Sequence, residues 1–206
     1  TLNTDHLRSI GALLTEHKRD DVQFMVGSSG LNYALAFHLQ KLGKIVPPEG
    51  IMSPGKAKKM AVIAGSCAPG TAAQIKHMIT LGHHGIAIDT EKLIDDVQTE
   101  TYQLSLIQEA QKAMEANRVP VFYSALGPED PVIEQTRESL KKRGWDDRDV
   151  GQRLALAMGI FALKLLESTG RMRLVVAGGD TSGYVARALG INALEICCPI
   201  APGAPG

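Results

Sequence analysis

The sequence predicts an α/β fold: a largely parallel sheet with helices on both faces, three-layered and Rossmann-like. Three observations carry this. Short apolar runs alternate with longer helix-like stretches along most of the chain, the pattern of strands joined by crossover helices. Several of those runs end in glycines followed by Ser or Thr, the punctuation of tight strand-to-helix turns. The length, 206 residues, is enough to bury one substantial core.

The expected strands are Val22–Val26, Met60–Ala64, Gly85–Ile88, Pro120–Tyr123, Leu174–Val176 and Ala193–Ile196. Helices are expected over Asp5–Glu16, Leu31–Leu42, Thr71–Thr80, Thr101–Asn117, Arg148–Ser168 and Thr181–Leu189. The longest is the most periodic: Val150, Leu154, Ala157, Phe161 and Leu165 fall on one helical face, and Gly170 beyond it reads as a stop. The segment Gly43–Lys59 holds three prolines, three glycines and four lysines and reads as a long, mobile surface loop. No internal repeat survives counting.

Composition narrows the function classes. Hydrophobic residues are 44% and charged residues 21%, as in ordinary globular domains. Twenty-two basic residues balance twenty-two acidic ones, which argues against nucleic acid or a membrane surface as the main partner. Aromatic residues, at 4%, are too few for a base-stacking platform. No apolar run approaches the roughly 20 residues that span a bilayer. The cysteines are Cys67, Cys197 and Cys198. Their odd number and spacing fit neither a disulfide framework nor a zinc site, and a reducing, cytoplasmic setting is expected. The opening without Met and the tail Ile200-Ala201-Pro202-Gly203-Ala204-Pro205-Gly206 read as the ends of a fragment. The expectation is one domain over 1–206 belonging to a larger protein.

In an open parallel sheet, ligands bind beyond the carboxyl ends of the strands, so the turns there carry the chemistry. One grammar recurs three times: Gly27-Ser28-Ser29-Gly30, Gly65-Ser66-Cys67-Ala68-Pro69-Gly70-Thr71 and Gly178-Gly179-Asp180-Thr181-Ser182-Gly183. Glycines let a ligand approach the backbone, hydroxyls cap the helix, and the helix start offers free amides to an anion. None has the lysine of a GxxxxGK[ST] loop, and no GxGxxG is present. The Gly27 turn is as well explained by structure alone. The Gly178 turn, with two glycines, an acid and two hydroxyls, exceeds what a simple turn requires.

Other candidates are weaker. Cys67 lies near a helix start, with His77, His83 or His84 as a base, but no orienting partner is evident and an inert thiol ranks ahead. His83-His84 reads as surface loop before metal ligand. Glu129 and Asp130, between Pro128 and Pro131, are first a solvated turn and second a water-mediated magnesium site.

Four segments in this order, GSSGLNYAL, AGSCAPGTAAQI, YSALGPEDP and AGGDTSGYVARALGINALEI, resemble the C-terminal domain of the four-carbon acid sugar kinases, which act on threonate, erythronate or their oxo derivatives. The resemblance runs from about Val22 to the end and is most specific in the last segment. It implies ATP as cofactor with Mg2+. Nucleotide contacts would come from Ser66, Gly178, Gly179, Asp180 and Thr181, with Ser182 and Gly183 extending the turn. It implies that the sugar acid and the general base belong mainly to an N-terminal domain absent from this sequence, so no catalytic residue is assigned here. Two positions depart from the family: Ala68 replaces a usual serine, and Leu126 replaces the arginine of YSARGP-like segments. The alternatives are a non-catalytic nucleotide-binding regulatory module and, last, a thiol enzyme built on Cys67. Homo-oligomerisation is left open.

Overall fold

The structure, a computed structural model, describes residues 3–16, 22, 24–46, 55–194, 199–201 and 204–205. The chain divides into two compact units, Thr1–Gly55 with Glu195–Gly206, and Lys56–Leu194.

The first unit contains two helices, α1 (Thr4–Glu16) and α2 (Ser29–Lys41), which pack against each other. Their crossing is close because Gly11 lies beneath Ala34: a Cβ on Gly11 would strike the Ala34 carbonyl. Helix α2 starts at Ser28, whose hydroxyl accepts from the Gly30 N–H at 3.3 Å. The Gly27–Gly30 segment is thus a helix cap. No strand leads into it among the described residues of Val22–Val26, which corrects that expectation. A strand exists only through ladder partners, and here Phe24 and Val26 stand almost fully exposed. The unit also holds a short antiparallel ladder between Pro199–Ala201 and Ala204–Pro205.

The second unit is the α/β body. In chain order it comprises β1 (Met60–Ala64), α3 (Pro69–Thr80), β2 (His84–Ala87), α4 (Thr90–Ile94), α5 (Thr99–Glu115), β3 (Pro120–Tyr123), α6 (Pro131–Lys142), α7 (Asp147–Thr169), β4 (Arg173–Ala177) and α8 (Gly179–Ala188). The four strands form one parallel sheet in the order β2-β3-β1-β4. Val62 faces Val121 on one side and Val175 on the other.

Alternation along the strands sorts the side chains into two layers. Ile63 and Phe122 enter the main core with Leu106, Ile107 and Ala110 of α5 and with Met158, Phe161, Ala162 and Leu165 of α7. Phe122 and Phe161 meet edge to face, with ring centroids 4.8 Å apart. Ala64 and Val121 join Ile75 of α3 in a second, smaller cluster. Helices therefore cover both faces, as the pattern predicts. The chain leaves β1 toward the α3 layer, and it leaves β3 toward the α7 layer.

All six expected helices and four of the six expected strands lie within a few residues of those observed. Helix α6 and the single-turn α4 were not expected. Ala193 and Leu194 carry no regular structure, and the rest of that expected strand lies outside the described residues. The same holds for 47–54 of the expected loop, whose flanks 43–46 and 55–59 are irregular.

Candidate functional site

Because β1 and β4 are neighbours, the turns leaving them lie side by side at the carboxyl edge of the sheet. The Gly65 N–H donates to the Ala177 carbonyl at 3.0 Å, extending the ladder into the turns. Gly178 then adopts φ 123° and ψ 131°, a left-handed conformation that L side chains rarely take. A Cβ there would lie 3.2 Å from the Ser66 nitrogen. Gly65 is equally constrained, since its Cβ would strike the Thr181 hydroxyl and sit 3.1 Å from the Met158 sulfur. Two glycines directly after adjacent strands thus let the backbones of two helix-leading turns come together.

The helix starts differ in what satisfies their amides. Asp89 caps α4 by accepting from the Lys92 N–H, and Asp130 caps α6 by accepting from the Val132 N–H. Helices α3 and α8 have Ala68 and Gly178 at the cap position, and neither receives a side-chain cap. The first N–H groups of α8, at Gly179, Asp180 and Thr181, precede its hydrogen-bond ladder, which opens with Ser182 N–H donating to the Gly178 carbonyl at 2.9 Å. Such a start presents donors and the positive end of the helix dipole to an anion.

Ser66 sits on the adjoining turn. Its hydroxyl oxygen accepts from the Ala68 N–H at 3.2 Å and from the Thr71 hydroxyl at 3.2 Å. A hydroxyl has one proton and two lone pairs, so the remaining capacity of Ser66 is as a donor. Gly179 and Asp180 are exposed, Ser182 is half-buried, and Thr181 is 4% exposed against Gly65. The structure therefore brings Ser66 and Gly178 together, and it sets Thr181 inside the junction rather than on its open surface. Gly65 and Thr71, which the motif includes without assigning them a nucleotide contact, are also parts of the arrangement.

The departures have local accounts. Ala68 occupies the cap position of α3, which keeps that helix start without a side-chain cap. Leu126 packs at the edge of the Ala64–Ile75–Val121 cluster, and its N–H donates to Asp130 Oδ2 at 2.7 Å. Asp130, expected in a solvated turn, is instead a structural cap. Burial, and then the nearby Asp130 carboxylate, push the Cys67 thiol above its ordinary value, which disfavours the thiolate a nucleophile needs. His84 is on β2 rather than in a loop, with Nε2 2.8 Å from Glu109 Oε1, while His83 Nδ1 accepts from the Val119 N–H at 3.4 Å. Among the described residues no three His, Cys, Asp or Glu side chains gather as a metal site.

The family model for a nucleotide-binding C-terminal domain matches residues 61–206. The chain belongs to this family. Curated relatives of this nucleotide-binding domain include a 3-oxo-isoapionate kinase of Paraburkholderia graminis, 32% identical over 99% of the chain and 43% of the kinase. A 3-oxo-tetronate kinase of Brucella melitensis is 30% identical over 99% of the chain and 43% of its own length. A D-threonate kinase of Salmonella typhimurium is 25% identical over 91% of the chain and 41% of that protein. The chain thus spans less than half the length of these relatives and corresponds to their C-terminal part. Among solved structures, Haemophilus influenzae protein HI1011 matches the whole chain and 45% of its own, with TM-score 0.63 and 22% identity, a likeness that shows the shared fold. Among the described residues, no helix is long and apolar enough to cross a membrane.

Proposed function

We propose that this domain binds ATP at the junction of the Ser66 and Gly178 turns and serves as the nucleotide half of a kinase for a small sugar acid of the threonate, erythronate or 3-oxo-tetronate class. The observation that carries the reading is the uncapped start of α8, held against the Ser66 turn by two glycines. The names of the relatives supply the reaction class.

Phosphoryl transfer asks the protein mainly for position and for charge stabilisation. The amides at 179–181 would hold the phosphates along the α8 axis, and the Ser66 hydroxyl would donate from the side. The donor set fits a nucleotide, since it is all N–H and O–H apart from one carboxylate. That carboxylate, exposed Asp180 in the first turn of α8, suits Mg2+, which is ordinarily held by one or two carboxylates together with phosphates and water. When bound, Mg2+ would neutralise charge on the phosphates. The sugar acid and the base for its hydroxyl would be supplied from outside this chain.

A single amide can be deleted to test this. Gly179 is the first helical residue, a Cβ there meets nothing within 4 Å, and Pro is well suited to that position. Gly179→Pro and Ser66→Ala should each weaken ATP by about tenfold in isothermal titration, the value of one hydrogen bond to a charged group. The melting temperature of Gly179→Pro should stay near that of the parent, whereas Ser66→Ala, which also loses the bonds from the Ala68 N–H and the Thr71 hydroxyl, should melt somewhat lower while remaining folded. Unchanged ATP affinity in both variants would refute the site.

A further inference from the structure

A cavity of about 180 Å³ opens on the other flank of β1, bordered by Gly65 and Cys67 of the same turn that carries Ser66. Its walls are Ala125 after β3, Val132 and Ile133 of α6, and Val150 and Leu154 of α7. Pockets that enclose a whole drug-sized ligand run to about 300–1,000 Å³. This one is large enough for a single ring system and too small for a complete nucleotide. It also lies where the chain leaves β1 toward one face and β3 toward the other, the kind of switch point at which open parallel sheets bind ligands.

We propose that this cavity seats the nucleobase of the nucleotide, with the phosphates running from it past Ser66 to the start of α8. The inference rests on the reading of that helix start as the phosphate site. The walls are chiefly apolar, as a flat heteroaromatic ring requires, and polar groups are few and grouped. The Thr90 and Thr136 hydroxyls, 2.6 Å apart, and buried Ser124 offer donors and acceptors to ring nitrogens. Arg137, paired with Glu134 at 2.9 Å, presents a planar guanidinium that can stack on a ring. Helix α6 lies outside the glycine turns, so base and phosphates would be held largely by different elements that meet at the Gly65–Cys67 turn.

Gly151 makes the proposal testable. It lines the cavity from α7, and a Cβ on it meets nothing within 4 Å. Gly151→Leu should fill the mouth of the cavity while favouring the helix, and a thermal melt followed by circular dichroism checks the fold. Gly151→Ala is the milder companion. ATP, adenosine and inorganic tripolyphosphate are titrated separately into the full chain.

In Gly151→Leu, ATP should weaken by about tenfold or more, adenosine binding should be lost, and tripolyphosphate should be unchanged. Gly151→Ala should fall between. If Gly151→Leu binds ATP and adenosine as the parent does, the base seat is overturned while the phosphate site stands. If Gly179→Pro leaves tripolyphosphate binding unchanged but Gly151→Leu still abolishes adenosine binding, the cavity assignment holds and the phosphate reading fails. A parent chain that binds neither adenosine nor ATP overturns the seat outright.

Discussion

Cys67 occupies the turn between Ser66 and α3, and two neighbours decide its chemistry. Burial disfavours the charged thiolate, and the Asp130 carboxylate adds to the effect, so its pKa is raised. The folded chain therefore holds the thiol proton more tightly than the unfolded one. That contribution to stability is present below the unfolded pKa and is lost as pH rises through the folded value. Alkylation follows the thiolate fraction. In a Cys197→Ser/Cys198→Ser background, iodoacetamide should react with native Cys67 more slowly than with the urea-unfolded chain at mildly alkaline pH. Asp130→Asn should narrow the gap without closing it, because burial remains. A native thiol reacting as fast as the unfolded one would contradict this account. Asp130→Asn should also lower stability by about 1–2 kcal/mol, since the Leu126 and Val132 N–H groups are held by different carboxylate oxygens and the amide replaces one of these with a donor.

Helix α7 supplies more buried residues to the main core than any other helix, Met158, Phe161, Ala162 and Leu165. Phe161, fully buried against Phe122, is its anchor. Phe161→Ala should cost about 3–5 kcal/mol in urea denaturation, and a loss under 1 kcal/mol would mean that the helix does not pack as described. This helix was legible because Phe161 and Leu165 fall on a period of 3.6. Met158 and Ala162, equally buried, lie beside the stripe that the sequence suggested, and tertiary contact alone selects between adjacent faces. Helix α6 was missed although its start is conventional: Asp130 caps it, and Pro131 occupies the first turn. Two prolines within four residues outweighed that signal, and the apolar stripe of α6 is thin, with only Thr136 and Leu140 buried. The stretch at Val22–Val26 failed in the opposite sense. Its β-branched residues state a preference for extended backbone, but pairing depends on partners that a local reading does not see.

At the scale of the whole molecule, the chain corresponds to the C-terminal part of longer curated kinases and covers 43% of the two relatives at 30% identity or more named above. The glycine turns were legible as tight strand-to-helix junctions, and the structure has Gly178 at φ 123° and a Cβ on Gly65 striking the Thr181 hydroxyl. The cavity beyond β1 was not legible, since its lining gathers Gly65 and Cys67, Thr90, the stretch from Ser124 to Arg137 and the start of α7. The proposed function depends on where phosphate sits. The direct measurement is a crystal structure of this chain soaked with a non-hydrolysable ATP analogue and Mg2+. Phosphate oxygens should lie within hydrogen-bonding distance, about 2.7–3.2 Å, of the amides at 179–181 and of Ser66 Oγ. Phosphate density away from both turns would contradict it.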